Sequence, residues 1–250
     1  MTTAIIVPAR VASQRLPAKL LRAVAGAPLV AHTARRLKSV APPGVAVVFA
    51  TDGDPRLAEI IRSEGCKVVE TDPALPSGTD RLAAANREVG AVRILNVQAD
   101  EPLVSSEQLK ALLRLLEGGA AMATVARPFP DGPSFTEPNK VKVVCGLDGR
   151  ALYFSRAPIP FARDVGGIFD SASLASRHCL WHQGLYAYTA ETLDTFAKLP
   201  PSPLEQVERL EQLRALENGI SIHVAIVNDA GIGVDTAEDL AALETLLTPQ

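Results

Sequence analysis

Short apolar runs alternate with stretches of helical periodicity through the first half of the chain, and no other feature restricts the fold as much. Thr3–Val7, Val45–Ala50, Lys67–Glu70 and Arg93–Val97 read as strands, and Pro28–Lys38, Asp54–Glu64, Ser77–Val89 and Ser105–Leu116 read as helices between them. Pro28 stands in the first turn of one helix and Gly65 in the closing position of another. Strands separated by crossover helices pair side by side in parallel, with the helices covering the sheet. The expected class is therefore α/β, a mostly parallel, doubly wound sheet.

The middle of the chain departs from this rhythm. From about Arg127 to Tyr188 the strand-like runs are short (Val141–Cys145, Ala151–Phe154, Leu185–Tyr188), prolines are frequent, and Asp164–Ser176 reads as a loop. We expect a single domain over 1–250 in which residues 127–188 form a small antiparallel insertion carrying substrate contacts and a dimer surface. Helical periodicity returns over Pro203–Asn218, closed by Gly219. A strand over Ile222–Val227 and a last helix over Ala237–Leu247 follow.

Composition excludes several classes of function. A net charge of −3 gives no reason to expect nucleic acid or an anionic membrane surface as partner. No run of about eighteen apolar residues suggests a membrane span, and the N-terminus lacks the basic and small-residue regions of a signal peptide. The three cysteines are odd in number and scattered, which argues for a reducing compartment and a cytoplasmic location.

Chemistry-bearing residues collect where strands end. Arg10, Arg15 and Lys19 share the loop after the first strand, and ligands of open α/β sheets bind outside the carboxyl ends of the strands. Three cations there suit a polyanion such as a nucleoside triphosphate, although a solvated loop with surface charges has the same composition. Ser77-Gly78-Thr79-Asp80-Arg81 opens a helix with small residues, so that backbone N–H groups can approach a phosphate or a base. Asp100 and Asp235 each follow a buried strand. Carboxylates beside a triphosphate repel it unless a divalent cation intervenes, which points to Mg²⁺; Asp235 also has the alternative of capping the last helix. No Walker loop occurs, and Gly231-Ile232-Gly233 lacks the third glycine of a dinucleotide fingerprint. His178-Cys179-x-x-His182 lacks two further ligands for a zinc site, and no G-x-S-x-G elbow marks a hydrolase. Glu211 and Gln212 lie among apolar residues of an amphipathic segment.

Together these strings resemble the 3-deoxy-manno-octulosonate cytidylyltransferases. The matching stretches are Pro8-Ala9-Arg10 through Lys19, Ser77 to Leu82, Asn96 to Pro102, Ala151 to Pro160, His182 to Tyr186, Pro201 to Arg214, and Gly233 to Thr236. The resemblance implies a nucleotide-diphospho-sugar transferase-like fold, a Mg²⁺-dependent reaction of CTP with Kdo that gives CMP-Kdo and pyrophosphate, and a homodimer. It implies that Ala9, Arg10, Arg15, Lys19, Ser77, Gly78 and Arg81 bind CTP, that Asp100 and Asp235 bind the metal, and that Arg10, Lys19, Asp100 and Asp235 carry catalysis. Gln98, Arg156, His182, Tyr186, Glu211 and Gln212 would line the sugar-acid pocket. Ala18 and Ala99 replace the family's usual glycines, and Leu75-Pro76 and Trp181 also depart from its pattern. A cytidylyltransferase for 8-amino-Kdo or a sialic-acid-like sugar, or a non-catalytic nucleotide-binding protein, stays open on these residues.

Overall fold

The computed structural model describes residues 2–12, 16–167, 179–228, 233–234 and 236–248. In chain order the strands are β1 (Thr3–Ala9), β2 (Ala23–Val24), β3 (Ala27–Pro28), β4 (Ala46–Thr51), β5 (Lys67–Glu70), β6 (Arg93–Asn96), β7 (Met122–Pro128), β8 (Lys142–Cys145), β9 (Ala151–Ser155), β10 (Leu180–Thr189) and β11 (Ile222–Ile226). The α-helices are α1 (Leu29–Val40), α2 (Pro55–Ser63), α3 (Gly78–Val89), α4 (Ser106–Glu117), α5 (Gly132–Thr136), α6 (Ala190–Lys198), α7 (Pro203–Glu208), α8 (Gln212–Glu217) and α9 (Ala237–Leu247). Two compact units result, one of Met1–Lys110 with Ala230–Gln250, the other of Ala111–Asp229. The stretch 127–188 lies within the second.

In the first unit four strands pair in parallel in the order β6–β1–β4–β5. Ile5, Ile6 and Val7 of β1 are fully buried, as expected of a central parallel strand, whose residues on both faces are covered and therefore apolar without alternation. Register sets where the strands stop. Ala9 is opposite Thr51, Thr51 is opposite Glu70, and Asn96 is opposite Ile6, so the loops that begin at Arg10, Asp52, Thr71 and Val97 leave from one edge of the sheet.

The helices α2 and α3 begin at side-chain caps. Asp54 accepts the Arg56 N–H at 2.9 Å, with Pro55 behind it, and Ser77 accepts the Asp80 N–H at 3.1 Å. Gly90 closes α3 at φ 67°. Two details differ from the sequence reading. Pro28 is the N-cap of α1 rather than a member of its first turn. The N-cap of α9 is Thr236, in a reciprocal box with Asp239, so the capping role open to Asp235 is performed by its neighbour. Asp235 itself lies outside the described residues.

The second unit is a mixed sheet. β11 runs parallel to β7, while β7 with β10, β10 with β8, and β8 with β9 are antiparallel. β10 runs to ten residues where its Leu185–Tyr188 core suggests four, because a bulge between Gln183 and Tyr186 interrupts its apolar alternation. One expectation is overturned. Residues 203–218 do not form one helix: α7 ends at Glu208, Arg209 turns left-handed at φ 54°, and α8 starts at Gln212. The physical reason is tertiary. The guanidinium of Arg156 donates to the Glu208 carbonyl at 2.7 Å and to the Arg209 carbonyl at 3.4 Å, acceptors that a continuing helix would have used itself.

Candidate active site

Lys19 is the centre of the first unit's candidate site. It opens a short 3₁₀ turn behind Ala18, which is left-handed at φ 51°, and this turn drives the side chain inward. Only 7% of Lys19 is exposed. A buried ammonium needs compensation, and it donates to Asp100 Oδ2 at 2.5 Å and to the Val234 carbonyl at 2.6 Å. The Val234 N–H donates in turn to the Asp100 carbonyl at 3.0 Å. Three segments that are far apart in sequence are thereby tied at one point, and Asp235 adjoins it in the chain.

The rest of the first loop is held by Asp52, which the sequence reading did not single out. Its Oδ2 accepts the Val11 N–H at 3.0 Å and so anchors the residue that follows exposed Arg10. Arg15 lies outside the described residues. Ala9 is buried at the end of β1. Gly78 opens α3 against β1; a Cβ there would stand 3.6 Å from Pro8 Cγ. The Ser77 hydroxyl is engaged twice by Asp80, accepting its N–H and donating to its carboxylate at 2.6 Å.

Arg81 is placed differently from the other cations assigned to CTP. It is 2% exposed and donates through Nη1 to the Thr51 carbonyl at 3.1 Å, to Thr71 Oγ1 at 2.5 Å and to the Asp72 carbonyl at 3.3 Å. Burial pushes its guanidinium below the ordinary value; Asp52 opposes that shift, Arg10 adds to it, and Asp72 opposes it. Its visible work is to bind the ends of β4 and β5 together. Gln98 is half-buried, with its Nε2 3.4 Å from Asn96 Oδ1. Ala99 is accommodated in place of glycine: its carbonyl accepts Thr33 Oγ1 at 2.8 Å and its φ is not positive.

The other residues assigned to the sugar acid belong to the second unit, and three of them fall along one chain of contacts. His182 is buried, packed edge-on to Phe154 at 5.0 Å and tilted against Tyr186 at 5.4 Å. Tyr186 stacks on Tyr188, and Tyr188 on Phe196. Arg214 covers Phe196 at 4.9 Å and donates to Glu211 Oε1 at 2.5 Å. Burial raises the Tyr186 phenol well above its ordinary value, and Tyr188 and Glu211 add to the shift. Gln212 follows Glu211 and is buried.

The tautomer of His182 follows from its partner. The Thr124 hydroxyl has one proton, and its contact of 2.7 Å with the Leu185 carbonyl claims it. His182 Nε2, 2.9 Å from that hydroxyl, must therefore be the donor, which leaves Nδ1 as the acceptor. Burial pushes this imidazole down to about 3, so it is neutral at physiological pH. His178 lies outside the described residues. Cys179 packs against Phe129 and Phe135 rather than serving a metal. Among the described residues no three His, Cys, Asp or Glu side chains are grouped to hold an ion.

Arg156 completes the set. Its guanidinium donates to the carbonyls of Pro138 (3.1 Å), Glu208 and Arg209. The sequence reading missed Thr124, Lys142, Glu208 and Arg214. Only Lys142 had left a signal, a charge set within the apolar strand run Val141–Cys145.

A family model described as cytidylyltransferase matches residues 4–222. The 3-deoxy-manno-octulosonate cytidylyltransferase of Acidobacterium capsulatum is 43% identical over 97% of this chain and 95% of its own length. That of Geobacter sulfurreducens is 45% identical over 96% and 97%. The chain belongs to the 3-deoxy-manno-octulosonate cytidylyltransferase family. The solved structure of CMP:2-keto-3-deoxy-manno-octonic acid synthetase complexed with CTP matches with a TM-score of 0.88 at 36% identity, over 99% of this chain and 98% of that one. A glucose-1-phosphate thymidylyltransferase from Bacillus anthracis shares the fold at TM-score 0.66 and 13% identity, over 98% and 95% of the two chains. Membership of the cytidylyltransferase family thus comes with the nucleotide-sugar transferase architecture expected from the alternation of strands and helices.

Proposed function

We propose that the protein transfers the CMP group of CTP to the anomeric hydroxyl of Kdo, releasing pyrophosphate and supplying CMP-Kdo for lipopolysaccharide assembly. The observation that carries this reading is the junction of Lys19, Asp100 and Val234 at the carboxyl edge of a parallel sheet, in a chain alike nearly end to end to enzymes of that name. Asp100 and Asp235 together with Lys19 suit phosphate and cation chemistry, and a binding-only protein has no need of the carboxylate pair.

The reaction forms a bond from the anomeric oxygen to the α-phosphorus, breaks the bond from that phosphorus to the bridging oxygen of pyrophosphate, and releases the hydroxyl proton. Both substrates are anions, because Kdo carries a carboxylate. Holding the hydroxyl in line at about 3 Å from phosphorus is worth roughly 7–11 kcal/mol. Each fixed donor aimed at charge that develops in the transition state adds about 3–4 kcal/mol. Lys19 is assigned to the α-phosphoryl oxygens. Exposed Arg10, with its following N–H fixed by Asp52, and the N-terminus of α3 at Ser77 and Gly78 are assigned to the remaining phosphates and the nucleoside. Arg81 supports them by tying the strand ends.

The donor set fits Mg²⁺. The ion prefers oxygen ligands and is commonly held by one or two carboxylates plus substrate phosphates. Asp100 is 26% exposed at its side chain, and Glu101 Oε1 lies 2.8 Å from where a Cβ of Gly233 would stand, so two carboxylates border the 233–234 segment. We assign Asp100 as a ligand with Asp235 as its partner. When bound, the ion would supply neutralisation of the phosphate charge. His182 Nδ1, an acceptor on a ring that stays neutral, suits a sugar hydroxyl, and Arg156 suits the carboxylate. A homodimer through the second unit, whose Phe161 is 70% exposed, and a cytoplasmic site of action complete the proposal.

The test is pyrophosphate release from CTP and Mg²⁺ with Kdo, 8-amino-Kdo, a sialic acid or no acceptor. Release that depends on Kdo and prefers it supports the reading. Preference for another acid replaces the sugar, and CTP binding without release under any condition overturns catalysis.

A further inference from the structure

Lys142 is the most deeply buried ammonium among the described residues, at 0% exposure at the first residue of β8. Its Nζ donates to the Glu137 carbonyl and to the Arg156 carbonyl, each at 2.8 Å. Glu208 meets the same residue from the other side. Its Oε2 accepts the Arg156 N–H at 3.0 Å, and its Oε1 accepts the Ser155 hydroxyl at 2.6 Å. The peptide groups before and after the Arg156 Cα are thus held by opposite full charges. The side chain is held as well, since its Nε, Nη1 and Nη2 reach the carbonyls of Glu208, Pro138 and Arg209.

The bonding leaves charge where a ligand needs it. Glu208 spends its carboxylate on neutral donors, an amide and a hydroxyl, and among the described residues no carboxylate lies within ion-pair distance of the Arg156 guanidinium. Carbonyls fix its direction without neutralising it. A cation that is oriented but uncompensated is a receptor for a carboxylate. Burial pushes the Lys142 ammonium below its ordinary value, with Glu137 opposing, Arg156 adding and Glu208 opposing, so each of the three lies within electrostatic reach of Lys142.

We propose that Lys142 and Glu208 are positioning residues for the sugar-acid substrate, setting the Arg156 guanidinium on the substrate carboxylate by clamping its backbone from both sides. The inference rests on the assignment of Arg156 to the sugar acid.

The test is steady-state kinetics of Lys142→Met, Glu208→Ala and Glu208→Gln, each alone and in an Arg156→Lys background, with the acceptor that the wild type prefers. Lys142→Met and Glu208→Ala should raise KM for the sugar acid about tenfold to a hundredfold and leave KM for CTP within twofold. Glu208→Gln keeps an acceptor for the Arg156 N–H and should recover most of the loss. In the Arg156→Lys background, Lys142→Met should have little further effect. Equal changes in both KM values, a fall in kcat alone, or full additivity with Arg156→Lys would overturn the inference. Should Lys142→Met not fold, the two Glu208 variants decide it by the same criteria. Failure of the Kdo reading shows separately, in the acceptor preference of the wild type.

Discussion

Lowering the pH from 7 to 5 should remove roughly 2 kcal/mol of stability through one side chain, His182. The imidazole is 8% exposed, donates from Nε2 to Thr124, and has its pKa pushed down to about 3 by burial. In the unfolded chain a histidine titrates near 6.5. Between those two values the unfolded state binds a proton that the folded state refuses, so stability rises with pH across that window and is lost as pH falls below about 6.5. Each pH unit is worth about 1.4 kcal/mol, which gives roughly 2 kcal/mol at pH 5 and roughly 4 kcal/mol near pH 3. The comparison is His182→Gln, which keeps an amide donor for Thr124 but cannot titrate. Urea unfolding at pH 7, 6 and 5 should show the wild type's advantage over the variant shrinking by roughly 2 kcal/mol across that range. Trp181, the single tryptophan, is the residue before His182 and reports on this unit by fluorescence. A constant advantage at all three pH values, or an imidazole that titrates near 6.5 by NMR in the folded protein, would refute the reasoning.

Three further predictions concern the first unit. Ala18→Gly should be neutral or stabilising by up to about 1 kcal/mol in chemical denaturation, because a left-handed alanine costs about 1–2 kcal/mol; a loss of about 1 kcal/mol, normal for glycine in a helical turn, would show that the site is unstrained. Lys19→Met should lower kcat/KM at least 10²-fold in pyrophosphate release while circular dichroism stays that of a folded α/β protein; activity within tenfold of wild type rules out the assigned role. Removal of divalent cations with EDTA should stop turnover, and added Mg²⁺ should restore it; undiminished turnover in the chelator would remove the metal from the proposal.

The long strands and helices of the first unit were legible because local chemistry specifies them, while the two-residue strands β2 and β3 were not. Lys67–Glu70 and Ala237–Leu247 have the predicted bounds, and Ser77 and Asp54 begin their helices as caps do. In the second unit the same signals mislead or fall silent. Gly118-Gly119 ahead of Met122–Pro128, and Thr189 and Pro200 around Ala190–Lys198, are too weak as punctuation to single those elements out, and Gly184-Leu185 conceals the length of β10. The candidate site divides in the same way. Arg10, Lys19 and Asp100 could be named from where the strands end, whereas Thr124, Lys142 and Glu208 acquire meaning only from what they touch.

By itself, the sequence determined the parallel α/β architecture, the cationic loop at its carboxyl edge and the family, since each depends on residue type and spacing along the chain. Tertiary structure decided the rest. It broke the helical run 203–218 because the carbonyls of Glu208 and Arg209 find a better donor in Arg156. It fixed His182 as a neutral Nε2 donor because Thr124 has only one proton to give. It set Lys19 on Asp100, a residue 81 positions away. Periodicity and capping act over a few residues, but desolvation and hydrogen-bond satisfaction are settled among groups that only folding brings together.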